Sequence, residues 1–361
     1  MPLDLFKVPE AQAIRISESA LRGMTEAMFE KMGVPHDDAV LASDVLVAAD
    51  LRGVDSHGVS NMLRNYIAAY QSGRYNPQPD WKIVRERAST ATIDADRGIG
   101  IVVAPKAMEL AIAKAKQTGI GVVTIRNGGH MGMAAYHAML ALEHDMIGMA
   151  MTAVGVQVLP TFGAEPRLGT NPIAVAVPAN RQHSFVFDIA SSMVAGNKIT
   201  LAKRLGVSFP AGMVADAEGT PVMQAGPLPD NYKLIPFGGT RELGSHKGYG
   251  LAMVVEIMCT LLSGAIPNTL EPVNRPAAHY VAAYDIDAFT DATEFKDMMD
   301  RWLTHLEATP PAPGHDRVLT PGLEEVEAEA QRRELGIPLH SDVIDWFKSA
   351  CQELEIPFRL R

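Results

Sequence analysis

Two cysteines in 361 residues, Cys259 and Cys351, are too few and too far apart for a disulfide framework. They form no CxxC pair that would hold a metal or run thiol exchange, so a reducing, cytoplasmic setting is expected. Excess positive charge is also missing. The 32 Lys and Arg stand against 42 Asp and Glu, a net charge of −10. That argues against nucleic-acid or anionic-membrane partners, but not against a small anionic ligand, because a few local cations govern one pocket. No apolar run is suited to a membrane span: the longest uncharged stretch, residues 146–164, is interrupted by Gly148, Gly155, Pro160 and Gly163. The opening MPLDLFKVPEAQ carries Asp4 and lacks the apolar core of a secretory signal. There is no HExxH, no ligand-spaced histidine pair and no GxxxxGK[ST], and Arg97-Gly-Ile-Gly lacks the third glycine of GxGxxG.

Apolar residues make up 47% of the chain, enough for a sizeable core, and the length fits roughly two or three domains. Helical spacing of Ile16, Ala20, Leu21, Met24, Met28 and Phe29 predicts a first helix, stopped by Gly33-Val-Pro35. Further helices are predicted over 37–51, 59–71, 104–117, 133–143, 192–205, 248–262 (as a central helix), 324–334 and 341–354. Strands are predicted over 90–96, 121–126, 147–153, 173–177 and 185–189. Residues 206–244 read as Gly/Pro-rich loops and 303–314 as an exposed connector. Interleaved strands and helices make this an α/β or α+β chain.

Four positions invite chemistry. His57, in Arg52-Gly-Val-Asp-Ser-His-Gly-Val59, sits between two predicted helices. It reads equally as a cleft histidine suited to proton transfer and as a surface residue beside a capping Asp/Ser. Asp55-Ser56-His57 is no hydrolase triad, because adjacent side chains diverge. His130, in Asn127-Gly-Gly-His-Met-Gly132, follows a strand in a glycine-lined turn, where it either reaches a ligand or is satisfied locally. His246-Lys247, among small residues before an apolar helix, suits an anion or phosphate contact, with a solvated turn as the alternative. Asp188 ends a predicted strand, as a helix cap or as an orienting partner for a histidine. The 19 methionines read as core filling.

Six stretches in order carry a resemblance over nearly the whole chain: 49–59, Asn127-Gly-Gly-His-Met-Gly132, Leu168-Gly-Thr-Asn-Pro-Ile-Ala174, Asp188-Ile-Ala-Ser-Ser192 with Gly196-Asn-Lys-Ile199, Gly244-Ser-His-Lys-Gly-Tyr-Gly-Leu251, and Arg317-Val-Leu-Thr-Pro-Gly322. Together they resemble the type-2 malate/L-lactate dehydrogenase family. That family includes ureidoglycolate, sulfolactate and diketogulonate dehydrogenases and relatives such as piperideine-2-carboxylate reductase.

The resemblance implies a non-Rossmann α/β fold that binds NAD or NADP, with a large mixed sheet, packed N- and C-terminal helices, and a homodimer as the assembly. It implies a helical unit of residues 1–80 with 315–361, a small α/β segment of 81–125 with 285–314, and a cofactor-binding sheet unit of 126–284. The implied activity is hydride transfer between NAD(P) and a small 2-hydroxy acid or its oxo form. A cyclic imino-acid reductase and a non-catalytic cofactor-binding homologue are the alternatives.

By the same resemblance, His57 is the acid/base, His130 polarises the substrate and Asp188 holds the catalytic histidine. Ser56, Asn61, Arg64, Thr170 and Asn171 belong to the substrate pocket. Asp188, Ile189, Ala190, Ser191, Ser192, His246, Lys247, Pro321 and Gly322 belong to the cofactor site, and no metal is implied. Two departures stand out. The family's carboxylate-gripping arginine four residues after the histidine is Asn61 here, with Arg64 one turn further on as a possible substitute. Pro-Gly-Glu has become Pro321-Gly322-Leu323.

Overall fold

The computed structural model describes residues 3–270 and 276–360. The N-terminal part holds β1 (Ile14–Ile16) and helices α1 (Glu18–Lys31), α2 (His36–Leu51) and α3 (Val59–Gln71). The middle of the chain runs β2 (Lys82–Glu86), β3 (Thr90–Asp94), α4 (Gly100–Thr118), β4 (Ile120–Gly128), α5 (Ala134–Met139), β5 (Met146–Ala153), β6 (Ile173–Val177), β7 (Phe185–Ile189), α6 (Gly196–Leu205), β8 (Val214–Ala215) and β9 (Lys233–Leu234). Then come α7 (Ser245–Glu256), prolonged by a π-helical turn over Ile257–Leu261, followed by β10 (Ala277–Asp285), α8 (Ala292–Glu307), α9 (Leu323–Leu335), β11 (Ile337–Leu339) and α10 (Ser341–Glu353). No helix among the described residues is long and apolar enough to cross a membrane.

Seven strands form one mixed sheet in the order β2-β3-β4-β10-β5-β6-β7, with β3 and β4 parallel and the other neighbours antiparallel. The sequence reading missed two strands of this sheet, β2 at its edge and the central β10. The Ala-Ala-His-Tyr-Val-Ala-Ala of β10 is covered on both faces, so it shows no alternation, and alanine has little strand preference. The division at residue 125/126 falls inside β4, and strands from both sides of it share this sheet.

The chain termini meet, as expected. β1 pairs antiparallel with β11, Ile16 opposite Ile337, and Leu21, Met28 and Phe29 of α1 share a core with Leu46, Leu63 and Phe347.

Four helix expectations need correction. The helix predicted over 192–205 starts only at Gly196, because Ser192 is extended and bridged to Pro236. That predicted over 133–143 breaks after α5, continuing as a separate 3-10 turn over Leu142–His144. Helix α8 runs to Glu307, into the predicted connector. Helix α7, apolar all round in sequence, buries Gly248, Ala252 and Val255 but leaves Leu251, Met253 and Val254 exposed. It is therefore a one-sided helix rather than a central one.

Candidate active site

The site begins where α2 hands over to α3. Gly53 adopts φ 76°, a left-handed turn that ends α2. Asp50 then caps the next helix from a distance: its Oδ2 accepts the Val59 N–H at 2.7 Å. Gly58 has to be glycine, since a Cβ there would lie 1.8 Å from Asp50 Oδ1. Arg332, on α9, donates to the Asp50 carbonyl and to both carboxylate oxygens of Asp55. All three side chains are buried, and burial, then Asp55, pushes the Asp50 carboxyl well above its usual range. The C-terminal part of the chain thus locks the loop that carries His57.

His57 Nδ1 lies 2.9 Å from Ser56 Oγ, and its ring stacks on His130 with centroids 5.7 Å apart and planes at 13°. His130 follows β4 on the Gly128–Gly129 turn. There the carbonyl of Gly129 bonds His279 Nε2 at 2.9 Å, and His279 Nδ1 meets Thr152 Oγ1 at 2.8 Å. His279, fully buried on the central strand, is therefore a positioning residue that no sequence motif flagged.

His130 Nδ1 accepts the Gly132 N–H at 3.2 Å and lies 2.7 Å from Tyr66 Oη. With Nδ1 accepting, the neutral ring carries its proton on Nε2, a donor free to face a ligand. Both rings border a cavity of about 520 Å³ that Asn65, Tyr75, Thr170 and Asn197 also line.

Enclosure by protein, then His130 and Lys198, pushes the His57 imidazole down to about 3, and burial pushes His130 down to about 4. Both rings are thus neutral through the neutral pH range. In the oxidative direction the base form of His57 is present throughout, so kcat/KM is expected to stay flat from pH 8 down to pH 6. An inflection near the ordinary histidine value of about 6.5 would contradict this enclosure.

The remaining predicted residues divide. Ser56 contacts His57, and Thr170 lines the cavity while its carbonyl accepts the N–H (2.8 Å) and hydroxyl (2.9 Å) of Ser191. Asn171 is fully buried; it bonds Val154 N–H, Ala252 O and Glu256, so it shapes the loop behind Thr170. Asn61 donates to Ser56 O at 3.0 Å and Asn197 O at 3.3 Å, bracing the His57 loop against α6. Arg64 lies over Trp346, 5.3 Å from the ring centroid, turned towards α10 rather than the cavity.

Asp188 does not hydrogen-bond the His57 ring. Its Oδ2 accepts the Ala135 N–H at 2.7 Å, and burial raises it to about 6. It lines a second cavity, about 220 Å³, with Ser56, Arg52, Lys198, Glu324 and Glu325. Ile189 ends β7, Ala190 follows it, and Ser192 Oγ donates to Val194 O. The Pro321 carbonyl accepts from Val186 N–H at 3.2 Å, and Gly322, at φ 99°, starts α9 against β7. His246 and Lys247 are exposed at the start of α7 and line neither cavity; His246 Nδ1 lies 2.8 Å from Arg241.

Sequence reasoning missed Arg52 and Lys198. Arg52 is 7% exposed; its Nη1 pairs with Glu329 at 3.2 Å, but its Nε and Nη2 have no partner among the described residues. A buried guanidinium with free N–H groups on a cavity, beside the half-buried ammonium of Lys198, suits an anionic group. Both lie inside stretches that carry the family resemblance, 49–59 and 196–199, but neither lies in a phosphate-loop pattern that would assign it a role.

A neutral histidine pair thus borders one cavity, and Arg52 and Lys198 stand among the carboxylates of Asp55, Asp188, Glu324 and Glu325 on a second. The profile of the malate/L-lactate dehydrogenase family matches residues 16–348, and the chain belongs to that family. It is 38% identical over 338 residues to a malate dehydrogenase of Pyrococcus abyssi, covering 92% of each chain. It is also 38% identical over 333 residues to an L-sulfolactate dehydrogenase of Methanocaldococcus jannaschii, covering 91% of this chain and 93% of that one. The solved malate dehydrogenase of Entamoeba histolytica superposes with a TM-score of 0.89 at 32% identity, covering 96% of this chain and 99% of that chain. The protein is an oxidoreductase that transfers hydride between a nicotinamide cofactor and a small hydroxy acid or its oxo form.

Proposed function

We propose that His57 is the acid/base of this reaction and His130 the group that polarises the reacting oxygen. The observation that carries this is the stacked, neutral histidine pair on the larger cavity. In oxidation, the substrate hydroxyl gives its proton to the free nitrogen of His57, while Ser56 holds the other ring nitrogen. His130 Nε2–H donates to the same oxygen and stabilises the charge that develops there. In reduction, His57 returns the proton.

The nicotinamide ring, when bound, accepts or supplies the hydride. Arg52 and Lys198 would hold the cofactor's phosphates, and the two unpartnered nitrogens that Arg52 keeps beyond its ion pair with Glu329 support this. Asp188 lines that cavity, and Ile189, Ala190, Ser191, Ser192, His246, Lys247, Pro321 and Gly322 are proposed as contacts for the rest of the cofactor. The cofactor is NAD or NADP, and a matrix of both against 2-oxo acids, cyclic imino acids and hydroxyketones tests the whole reading. Turnover of a 2-oxo acid is expected; turnover of imino acids alone would shift the class, and no cofactor binding by calorimetry would remove it.

The assembly we propose is a homodimer that covers the exposed Leu251, Val254, Ile257 and Leu261 of α7 and its π-helical turn. Such an apolar stripe on a helix calls for a partner surface. Val254→Glu with Leu261→Glu is expected to halve the mass seen by sedimentation; an unchanged mass would place the interface elsewhere. The helical unit 1–80 with 315–361, the segment 81–125 with 285–314 and the sheet unit 126–284 are proposed as parts of one cooperative fold. A cytoplasmic location agrees with two buried free thiols, Cys259 and Cys351.

A further inference from the structure

The larger cavity contains a cation that neither the family pattern nor the motifs marked. Helix α3 ends at Gln71, Gly73 turns the chain at φ 71°, and the N–H groups of Arg74 and Tyr75 both reach the Ala69 carbonyl, at 2.9 and 3.2 Å. This fold-back delivers Arg74 and Tyr75 to the cavity wall. Tyr75 Oη accepts the His130 N–H at 3.2 Å, and the Arg74 guanidinium lies 5.1 Å from the Tyr75 ring centroid. The cation therefore lies on the cavity wall beside the ring whose hydroxyl bonds the His130 backbone.

Arg74 is exposed, and it makes no ion pair and no side-chain hydrogen bond among the described residues, so its charge is uncommitted within the protein. No carboxylate lines this cavity. A guanidinium beside a tyrosine ring with no protein partner has its N–H edge available, and that edge matches a carboxylate or sulfonate in bidentate geometry. The other candidates fail. Asn61 is neutral and committed to the Ser56 and Asn197 carbonyls, and Arg64 is committed to Trp346.

We infer that Arg74 binds a second anionic group of the substrate, distal to the reacting carbon. The preferred substrate class is then a dianionic 2-hydroxy acid and its 2-oxo form, with a carboxylate or sulfonate at the far end. This rests on the proposed reading of His57 and His130 as the reacting end.

The test compares oxaloacetate with pyruvate in wild type, Arg74→Gln and Arg74→Lys, with NADH or NADPH. Arg74→Gln is expected to lose about 10- to 100-fold in kcat/KM for oxaloacetate, mostly in KM, and less than threefold for pyruvate. Arg74→Lys keeps the charge without the fork and falls between. Equal losses on both substrates, or none on oxaloacetate, would overturn the assignment. A calorimetric titration of the cofactor complex with succinate and with propionate separates the two readings. If no 2-oxo acid is turned over but Arg74→Gln still abolishes the preference for succinate, the reaction assignment fails and Arg74 stands. If the preference survives, Arg74 is not the clamp.

Discussion

Replacing His57 with alanine is expected to cut turnover by about 10²–10⁴-fold, the usual contribution of a positioned acid/base, while cofactor affinity stays at the wild-type level. The size follows from geometry. His57 shares the cavity with His130, and Ser56 ties up only one of its ring nitrogens. Tyr66 cannot replace it as a base, because it is buried and burial pushes its hydroxyl well above its usual range; His130, its Nδ1 taken by Tyr66 and the Gly132 N–H, presents only a donor. The variant should melt near the wild-type temperature, because the His57 side chain opens on the cavity and packs no core. Cofactor titration by fluorescence separates loss of chemistry from loss of binding. Near-normal turnover in His57→Ala would move the acid/base role to another residue. Added imidazole, which fits the vacated space, should restore part of the rate to the alanine variant.

The second large effect is one of stability. Arg332→Met is expected to cost about 3–5 kcal/mol, the range for breaking one side of a buried ion pair. Arg332 and Asp55 are both less than one-tenth exposed, and the same guanidinium also caps the Asp50 carbonyl. Without it, the carboxylates of Asp55 and Asp50 stay in the interior with little compensation, and Asp50 Oδ1 already lacks a partner. Two checks distinguish this from a simple packing loss. Adding Asp55→Asn to the methionine variant should recover part of the stability. The variant's deficit should also shrink as pH falls towards 5, because a carboxyl whose folded-state affinity for protons has risen gains stability on protonation. Urea unfolding with a loss below about 1 kcal/mol, the scale of an exposed pair, would show that this pair is not what holds the His57 loop.

Both expectations concern a site whose parts were unequally legible in the sequence. Helix α3 and strands β6 and β7 match their predicted bounds of 59–71, 173–177 and 185–189. Apolar spacing and flanking glycines and prolines act over a few residues, so they set such elements locally. His57 and His130 stood out for the same reason: each lies in a short glycine-bounded run, and the structure brings the two rings together. The stretch 82–86 was harder. All five residues of β2 are exposed, so it shows no alternation, and its pairing with β3 makes it a strand.

What the sequence by itself determined was the family pattern, the helical termini destined to meet, and the identity of two histidines able to move or share a proton. The tertiary structure alone decided which charged groups serve that pair. Arg64 and Arg74 are ten positions apart and chemically identical, yet one faces Trp346 and the other the cavity. Asp188 went to the Ala135 amide, and His279 came across 150 positions to hold the turn under His130. Arg332 reaches Asp55 across 277 positions. The physical reason is one of range: hydrogen-bonded repeats and turns are fixed by neighbours in the chain, whereas the direction in which a charge points is fixed by whichever distant segment packs against it.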